Sequence, residues 1–325
     1  MRAIVLTATN TLDFCEVLTP IAGPGEVLIK TAAFGICATD LEMIAGDPRV
    51  KLPAILGHEW SGIAAEVGEG VDHSLVGMRC VAENIRRDGG EVGFEHPGAY
   101  GEYFVTDAAN VHSLPEQVPF VPGVLLEPLA VCLRGVRRLQ ATSQDNALIF
   151  GDGPIGLLSV ALLKHCGYRD IWLAGGRTHR LGMAEELGAS RAINYHTIQD
   201  DLGESILREH GSRFNNVIEA SGSGKAMQAS LDVAGKDGHI LVIGDYGKAR
   251  ADFRWNQILH YELHIIGSNA SQYAWEEAVQ LAGEGKIPLE KLVTHRFSAS
   301  DYQKGFEIIN GRDPSVIKVV VEWDE

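Results

Sequence analysis

The chain has 325 residues, 28 Lys and Arg against 43 Asp and Glu, and a formal net charge of -15. This balance disfavours nucleic acid as a partner, because binding to phosphates depends on clustered Lys and Arg. No stretch approaches the roughly 20 apolar residues that span a bilayer, so no membrane partner is expected. Residues 1–6 read as a strand without a signal-peptide pattern, which predicts a cytoplasmic protein. The length predicts two domains.

The N-terminal region reads as short strands divided by Gly and Pro, among them 3–6, 26–31 and 62–67. This spacing predicts a small, irregular β-barrel or sandwich. Two segments inside it carry metal-ligand side chains, Gly35-Ile-Cys-Ala-Thr-Asp40 and Gly57-His-Glu-Trp-Ser-Gly62.

Cys37, His58 and Glu59 offer a thiolate, an imidazole and a carboxylate, the ligand types that bind zinc. A catalytic zinc also keeps one coordination position open for water or substrate. Taken singly, Cys37 also fits a small buried apolar residue, and His58 fits a structural histidine. The five cysteines are odd in number and never spaced C-x-x-C, which predicts neither a disulfide framework nor a zinc ribbon.

The central region alternates apolar strands with amphipathic helices from 121 to 267, which predicts a parallel sheet covered on both faces. The strand 147–150 runs into a G-x-G-x-x-G motif at 151–156, with a helix predicted from 154 to 166. This order favours a dinucleotide site over an ordinary Gly-rich turn. The motif residues predicted to contact the cofactor are Gly151, Gly153, Pro154, Ile155 and Gly156.

Further strands are predicted at 170–174, 191–194, 216–220 and 239–244, which completes a doubly wound α/β fold. Ligands of such folds bind at the carboxyl ends of the strands. Ser221, after the fourth strand, and Ser268, where the chain leaves the sheet, are therefore predicted cofactor contacts.

The end of the second strand distinguishes NAD from NADP, because NAD enzymes usually carry an Asp or Glu there for the ribose hydroxyls. No carboxylate is available here to repel a 2′-phosphate, and the segment contains two arginines. NADP(H) is therefore favoured over NAD(H), with the 2′-phosphate held by charge-assisted hydrogen bonds. The alternative is that Arg180 caps an exposed helix face and Arg177 is solvated. The predicted contacts are Gly175, Arg177, Thr178 and Arg180.

The C-terminal region contains a predicted helix at 274–282 and a β-branched strand at 316–321. The dinucleotide-binding domain is predicted over 121–267.

The motifs together resemble the medium-chain, zinc-dependent alcohol and polyol dehydrogenase superfamily, and most closely its sorbitol and threonine dehydrogenase branch. They follow the family's order across nearly the whole chain. The resemblance implies an α/β protein with a GroES-like β-barrel domain and a doubly wound Rossmann domain. It also implies that the catalytic domain is discontinuous, 1–120 with 268–325. The segments that carry it are 35–40, 57–62, 98–103, 127–130, 151–156 and 292–297.

The resemblance also implies roles for individual residues. Cys37 and His58 become zinc ligands, and Glu59 is a ligand or exchanges with water beside the metal. Glu127, in Glu-Pro-Leu, takes the remaining protein position, although it also fits an exposed carboxylate at a helix start. Asp40 orients a ligand by hydrogen bonding. Thr39 passes the substrate proton outward, which the chemistry requires.

Two departures from the family pattern are informative. Leu41-Glu42 stands where many relatives have a relay histidine, and a solvated Glu42 is favoured over a substitute relay. Residues 82–97 contain no cysteine where most relatives have four that hold a structural zinc. The sequence therefore predicts one catalytic zinc, no structural zinc and a surface loop at 82–97 in which His96 is solvated.

The predicted function is a zinc-dependent oxidoreductase that interconverts a secondary alcohol, of polyol or sugar-like character, and a ketone with a nicotinamide cofactor. One alternative is a zinc-free quinone or enone reductase on the same scaffold, which predicts loss of the ligand set. The other is a non-catalytic dinucleotide-binding protein. Relatives are often dimers or tetramers, so a homo-oligomer is expected.

Overall fold

The computed structural model describes residues 1–140, 145–247, 250 and 252–324. Over these ranges, no helix has the length and apolar character needed to cross a membrane. The chain divides into two compact units, Met1–Glu127 with Trp275–Glu325, and Pro128–Ala274. The first unit is therefore discontinuous in sequence.

The N-terminal part of the first unit is mostly strand. Its elements are β1 (Arg2–Ala8), β2 (Thr11–Glu16), β3 (Glu26–Gly35), α1 (Ala38–Ile44), β4 (Trp60–Val67), β5 (Arg79–Ala82), β6 (Tyr103–Asp107), β7 (Val111–Ser113) and α2 (Phe120–Gly123). Helix α3 (Leu126–Arg138) crosses from the first unit into the second.

The second unit alternates strands with helices. Its elements are β8 (Asn146–Phe150), α4 (Pro154–His165), β9 (Asp170–Gly175), α5 (Thr178–Glu186), β10 (Arg191–Asn194), α6 (Leu202–His210), β11 (Phe214–Glu219), α7 (Gly224–Val233), β12 (Ala234–Val242), α8 (Asn256–Tyr261) and β13 (His264–Gly267). The chain then returns to the first unit with α9 (Trp275–Gly283), β14 (Val293–Ser298), α10 (Tyr302–Asn310) and β15 (Lys318–Glu322).

Short 3-10 turns connect several of these elements. They lie at His73–Leu75, Ala108–Asn110, Tyr195–Thr197, Leu289–Leu292 and Ala299–Asp301.

The first unit is built on a seven-stranded sheet in the order β14-β15-β3-β4-β5-β7, with β6 also paired to β3. All of these pairs are antiparallel except β14 with β15. Aromatic side chains fill the core, with Phe34 and Tyr100 ring centroids 4.7 Å apart and those of Trp60 and Phe104 4.8 Å apart. The long central strand β3 thus positions both β4 and the C-terminal β15.

The second unit is a six-stranded, all-parallel sheet in the order β10-β9-β8-β11-β12-β13. Its central strands are apolar without alternation, because both faces of such a sheet are buried. Leu148, Val217 and Ile240 are 0% exposed on three adjacent strands. The carboxyl ends of these strands lie at one edge, where doubly wound folds bind ligands.

The unit boundaries fall later than the sequence-based ones at both crossings. The turn after β7 stays with the first unit because the Ser61 hydroxyl donates to the Phe120 carbonyl at 2.7 Å. The segment after β13 stays with the second unit, where Ser268 N donates to the Val242 carbonyl at 3.1 Å and Arg137 donates to the Tyr273 carbonyl at 2.7 Å.

Candidate metal centre and cofactor site

The predicted metal ligands of the two N-terminal motifs converge at one end of β3 and β4. These strands pair antiparallel with Phe34 opposite Trp60, so the residues that follow β3 lie beside those that precede β4. Cys37, His58 and Glu59 each offer a ligand atom, and these atoms all lie within 4.8 Å of one another. A thiolate, an imidazole and a carboxylate at this spacing fit zinc.

Asp40 holds two of these groups in place. It lies in the first turn of α1, is fully buried, and accepts a hydrogen bond from Cys37 N at 2.8 Å with its Oδ2. Its Oδ1 lies 3.2 Å from His58 Nδ1. Burial lowers the pKa of His58, but Asp40 and Cys37 beside it raise that pKa well above its ordinary value. Asp40 therefore faces Nδ1 and leaves Nε2 as the second nitrogen for a metal.

Thr39 lies next to the cluster, with its hydroxyl 3.6 Å from Cys37 Sγ, and it is half-buried. Glu42, on the same helix, is exposed. A hydroxyl at the edge of the cluster suits the predicted proton transfer, and this role stays a prediction.

Glu127 is the second residue of α3 and is half-buried. Burial raises the pKa of Glu127 to about 8, with the nearby carboxylates of Glu59 and Glu83 adding to the rise and His58 and Lys318 opposing it. It thus lies near the cluster, although its ligand atoms are outside the group that falls within 4.8 Å. Its role as a zinc ligand stays a prediction.

The glycine motif has the geometry that the sequence predicts. Helix α4 begins at Pro154, and Gly151 has a φ of +116°. A Cβ at Gly156 would overlap the Gly151 carbonyl oxygen, and a Cβ at Gly151 would lie 2.9 Å from the Ala220 carbonyl group. A Cβ at Gly153 would meet no atom within 4 Å. The turn therefore has no room for a side chain at Gly151 or Gly156, whereas the space beside Gly153 is open.

Comparison with known proteins gives the family. The model of the zinc-binding dehydrogenase family matches residues 154–284, and that of the alcohol dehydrogenase GroES-like domain matches residues 23–116. L-threonine 3-dehydrogenase of Xanthomonas oryzae pv. oryzae is 30% identical over an alignment that covers 100% of both chains. The chain belongs to the medium-chain alcohol and polyol dehydrogenase superfamily. The resemblance and the fold class that the sequence predicts are thus confirmed.

Other relatives share the fold over nearly the full chain. D-arabitol-phosphate dehydrogenase of Enterococcus avium is 28% identical, with 96% of this chain and 94% of that protein aligned. The crystal structure of a short chain alcohol dehydrogenase from Escherichia coli CFT073 with NADH is 27% identical, with a TM-score of 0.93 and 99% of both chains covered. A zinc-binding dehydrogenase of Sinorhizobium meliloti 1021 bound to NADP is 26% identical, with a TM-score of 0.90 and coverages of 99% and 98%.

Lys318 pairs with Glu59 of the candidate ligand group and was not predicted from the sequence. Its Nζ lies 2.8 and 2.5 Å from the two carboxylate oxygens of Glu59 and 3.4 Å from the Ile36 carbonyl oxygen. Both side chains are almost fully buried, at 3% and 2% exposure. The pairing of β15 with β3 brings Lys318 here. A lysine within the apolar run Val-Ile-Lys-Val-Val was the available signal.

The segment 82–97 lies only partly at the surface, in contrast to the surface loop predicted from the sequence. Val92 is 0% exposed, and Asn84 donates from Nδ2 to the His58 carbonyl oxygen at 2.8 Å. His96 is not simply solvated, because its Nε2 lies 2.8 Å from an Asp88 carboxylate oxygen. The segment therefore supports the backbone of a predicted metal ligand.

The end of β9 also differs from the prediction. The sequence indicated no carboxylate near Arg177 and Arg180, but Asp152 of the glycine motif reaches this position. A Cβ at Gly175 would lie 2.5 Å from Asp152 Cβ. The glycine therefore leaves the space that the Asp152 side chain needs.

Tyr195 and His196, which follow β10, lie against Gly176 and were not singled out from the sequence. A Cβ on Gly176 would overlap the Tyr195 hydroxyl and lie 2.9 Å from His196 Nε2. Both side chains are exposed, and their rings lie 4.4 Å apart. The signal in the sequence was the Asn-Tyr-His segment that follows the third strand of this unit.

The two predicted serines lie at the ends of strands. Ser221 N donates to the buried Glu219 carboxylate at 2.9 Å, and the Ser221 hydroxyl also donates to it. Tyr246 donates its hydroxyl to the same carboxylate at 2.5 Å. Within the described parts of the chain, the buried Ser268 hydroxyl has no hydrogen-bond partner. Ser268 therefore retains a polar atom for a ligand.

Proposed function

We propose that this chain is a zinc-dependent oxidoreductase that interconverts a secondary alcohol and a ketone with a nicotinamide cofactor. The observation that carries the proposal is the cluster of Cys37, His58 and Glu59 ligand atoms within 4.8 Å. Asp40 supports it, because a buried carboxylate against the second nitrogen of a ligating histidine is the arrangement that orients such ligands. A zinc-free reductase has no use for this set.

The chain's own residues have separable roles in this chemistry. When bound, zinc supplies a Lewis acid that polarises the substrate oxygen, and the nicotinamide accepts or returns the hydride. Cys37 and His58 hold the metal, with Glu127 as the further protein ligand. Thr39 takes the proton of the substrate hydroxyl and passes it to solvent.

The buried pair of Glu59 and Lys318 affects the charge of the proposed site. Both carboxylate oxygens of Glu59 accept from Lys318, so the pair is close to neutral as a unit. Since each carboxylate has about four lone-pair positions, Glu59 retains acceptor capacity beside the metal. We therefore propose Glu59 as an exchangeable ligand, with Cys37, His58 and Glu127 as the permanent ones.

The proposed substrate is a polyol or a similarly polar secondary alcohol. The relatives named for threonine and arabitol phosphate support this class, because both compounds carry a secondary hydroxyl among other polar groups. We further propose one zinc per chain, since 82–97 has no cysteine and the described residues contain a single such cluster.

The cofactor is NAD(H) or NADP(H). The sequence-based preference for NADP(H) depended on the absence of a carboxylate at the end of β9. Asp152 supplies one, so that premise does not hold. The choice between the two cofactors depends instead on the charges around Asp152.

Turnover with a panel of secondary alcohols and both oxidised cofactors tests the proposed function. We expect metal-dependent reduction of the nicotinamide by the wild-type protein and a loss of about 10³-fold or more in Cys37→Ala and His58→Ala, because the Lewis acid is lost. Full activity in the two variants would favour the zinc-free reductase. Cofactor binding without turnover on any alcohol would favour the non-catalytic protein.

A further inference from the structure

The adenosine end of the predicted cofactor site contains a carboxylate that accepts from two backbone N–H groups and lies beside two arginines. Oδ2 of Asp152 accepts hydrogen bonds from Gly176 N and Arg177 N, both at 2.8 Å. Its Oδ1 lies 3.2 Å from the Arg177 guanidinium and 3.7 Å from that of Arg180. Asp152 is 6% exposed. These four donors form an anion-binding nest, and Asp152 fills it.

A 2′-phosphate at the end of β9 would need the same donors. Backbone N–H groups at the start of a helix and nearby arginines are the groups that bind phosphate, and α5 begins directly after Arg177. Here the two arginines are paired with a carboxylate, which lowers the positive charge left for a second anion. Burial and the neighbouring Arg177 lower the pKa of Arg180 to about 10, while Asp152 opposes that change.

A ribose 2′-hydroxyl differs from a phosphate, because it donates a hydrogen bond and needs an acceptor. The acidic residue of NAD enzymes provides that acceptor at the end of the second strand. Asp152 reaches the end of β9 from the glycine motif, and its Oδ1 is contacted only by guanidinium groups among the described residues. A carboxylate oxygen with these contacts retains a lone pair for a hydroxyl donor.

We propose that Asp152 determines the cofactor specificity of this dehydrogenase, favouring NAD(H) because its negative charge engages the donors that would bind the 2′-phosphate of NADP(H). In this arrangement Arg177 and Arg180 orient Asp152 and are not free ligands of a 2′-phosphate. The inference rests on one part of the proposed function, namely that the chain binds a nicotinamide dinucleotide. It does not require zinc.

Binary binding of NAD⁺ and NADP⁺, measured by isothermal titration calorimetry on the full-length protein without substrate, tests the proposal. We expect the wild-type protein to bind NAD⁺ more tightly than NADP⁺. Asp152→Asn keeps the side-chain shape and removes the negative charge. It should tighten NADP⁺ binding by roughly tenfold, because a carboxylate that repels the 2′-phosphate is lost. The same change should weaken NAD⁺ binding.

Two further variants separate specificity from a purely structural role. In the Asp152→Asn background, Arg177→Ala should remove most of the gain in NADP⁺ affinity, because the released guanidinium provides it. Asp237→Asn is the matched control, since it removes an exposed carboxylate of the same unit at a position whose positive φ asparagine tolerates. It should leave both affinities unchanged.

Some outcomes would overturn the proposal. Tighter binding of NADP⁺ than NAD⁺ by the wild-type protein would do so even if Asp152→Asn failed to fold. Equal weakening of NAD⁺ and NADP⁺ binding in a folded Asp152→Asn protein would show that Asp152 only stabilises the turn. Binding of neither cofactor to the wild-type protein would overturn this inference together with the proposed function, whereas absence of zinc or turnover would affect the proposed function alone.

Discussion

The buried ion pair of Glu59 and Lys318 places two opposite charges in the interior of the first unit. Burial lowers the pKa of Lys318, but Glu59 and Cys37 raise that pKa by a larger amount. The pKa therefore lies above its ordinary value, and the lysine is charged. Such a pair gives little net stability, yet removing one partner leaves an unpaired buried charge. The pair therefore makes the fold depend on both residues.

Lys318→Met should lower the free energy of unfolding by about 3–5 kcal/mol, because Glu59 then stays buried without a counter-charge. Urea denaturation of the metal-free protein measures this. Lys304→Met is the control, since Lys304 forms an exposed pair with Asp301 and such pairs contribute at most about 1 kcal/mol. The double variant Glu59→Gln with Lys318→Met should be more stable than Lys318→Met. Equal losses in the two lysine variants would contradict the account.

Asp40 gives a second prediction for a single residue. Asp40→Asn should weaken zinc binding by about 10–100-fold, because the carboxylate that orients His58 becomes a neutral amide. Competition with a chelator measures the affinity. Glu42→Gln removes an exposed carboxylate from the same helix and should leave the affinity unchanged. An unaltered affinity in Asp40→Asn would mean that Asp40 serves only as the helix cap at Cys37.

Zinc uptake should depend on pH in a definite direction. The pKa values of His58 and Glu127 are both raised in the folded, metal-free protein, that of Glu127 to about 8. Both groups therefore carry protons at neutral pH that a metal must displace. Zinc affinity should rise with pH through about 8, and calorimetry in buffers of different ionisation enthalpy should detect protons released on binding. Affinity that falls over this range would contradict the assignment of both ligands.

At the scale of elements, the turn between β8 and α4 shows how local sequence determines structure. Its glycines are needed where the backbone closes on itself, and Pro154 at the start of α4 lacks only an N–H that has no helical partner. These features depend on neighbours in sequence, so they were predictable. The hydrogen bonds of the Asp152 side chain could not be predicted in this way, because the residues that it contacts follow the next strand, β9.

Gly156→Ala should lower the free energy of unfolding by about 1–3 kcal/mol and weaken dinucleotide binding, because the new Cβ overlaps the Gly151 carbonyl oxygen. Thermal unfolding and cofactor titration measure the two effects. Gly182→Ala is the control within α5: the glycine is exposed and its Cβ would meet no atom within 4 Å. It should stabilise the protein by about 0.5–1 kcal/mol. A stable Gly156→Ala that binds cofactor normally would refute the tight-turn interpretation.

At the scale of the whole molecule, the sequence predicted the α/β class and the parallel central sheet, because periodicity and turn residues carry that information. The return of the C-terminal segment to the first domain was implied by the family resemblance instead. The contact between Lys318 and Glu59 could not be predicted from the sequence, because it depends on the pairing of β15 with β3. The partial burial of 82–97 likewise depends on contacts, such as Asn84 with His58, that no motif encodes.

Cys37 and its neighbours are proposed to form one zinc site. Elemental analysis of zinc per chain, on carefully prepared wild-type protein and on Cys37→Ala, measures its occupancy. We expect about one zinc per wild-type chain and its loss in the variant. Two zinc ions per chain would show that a second site exists, and none would contradict the metal-dependent mechanism.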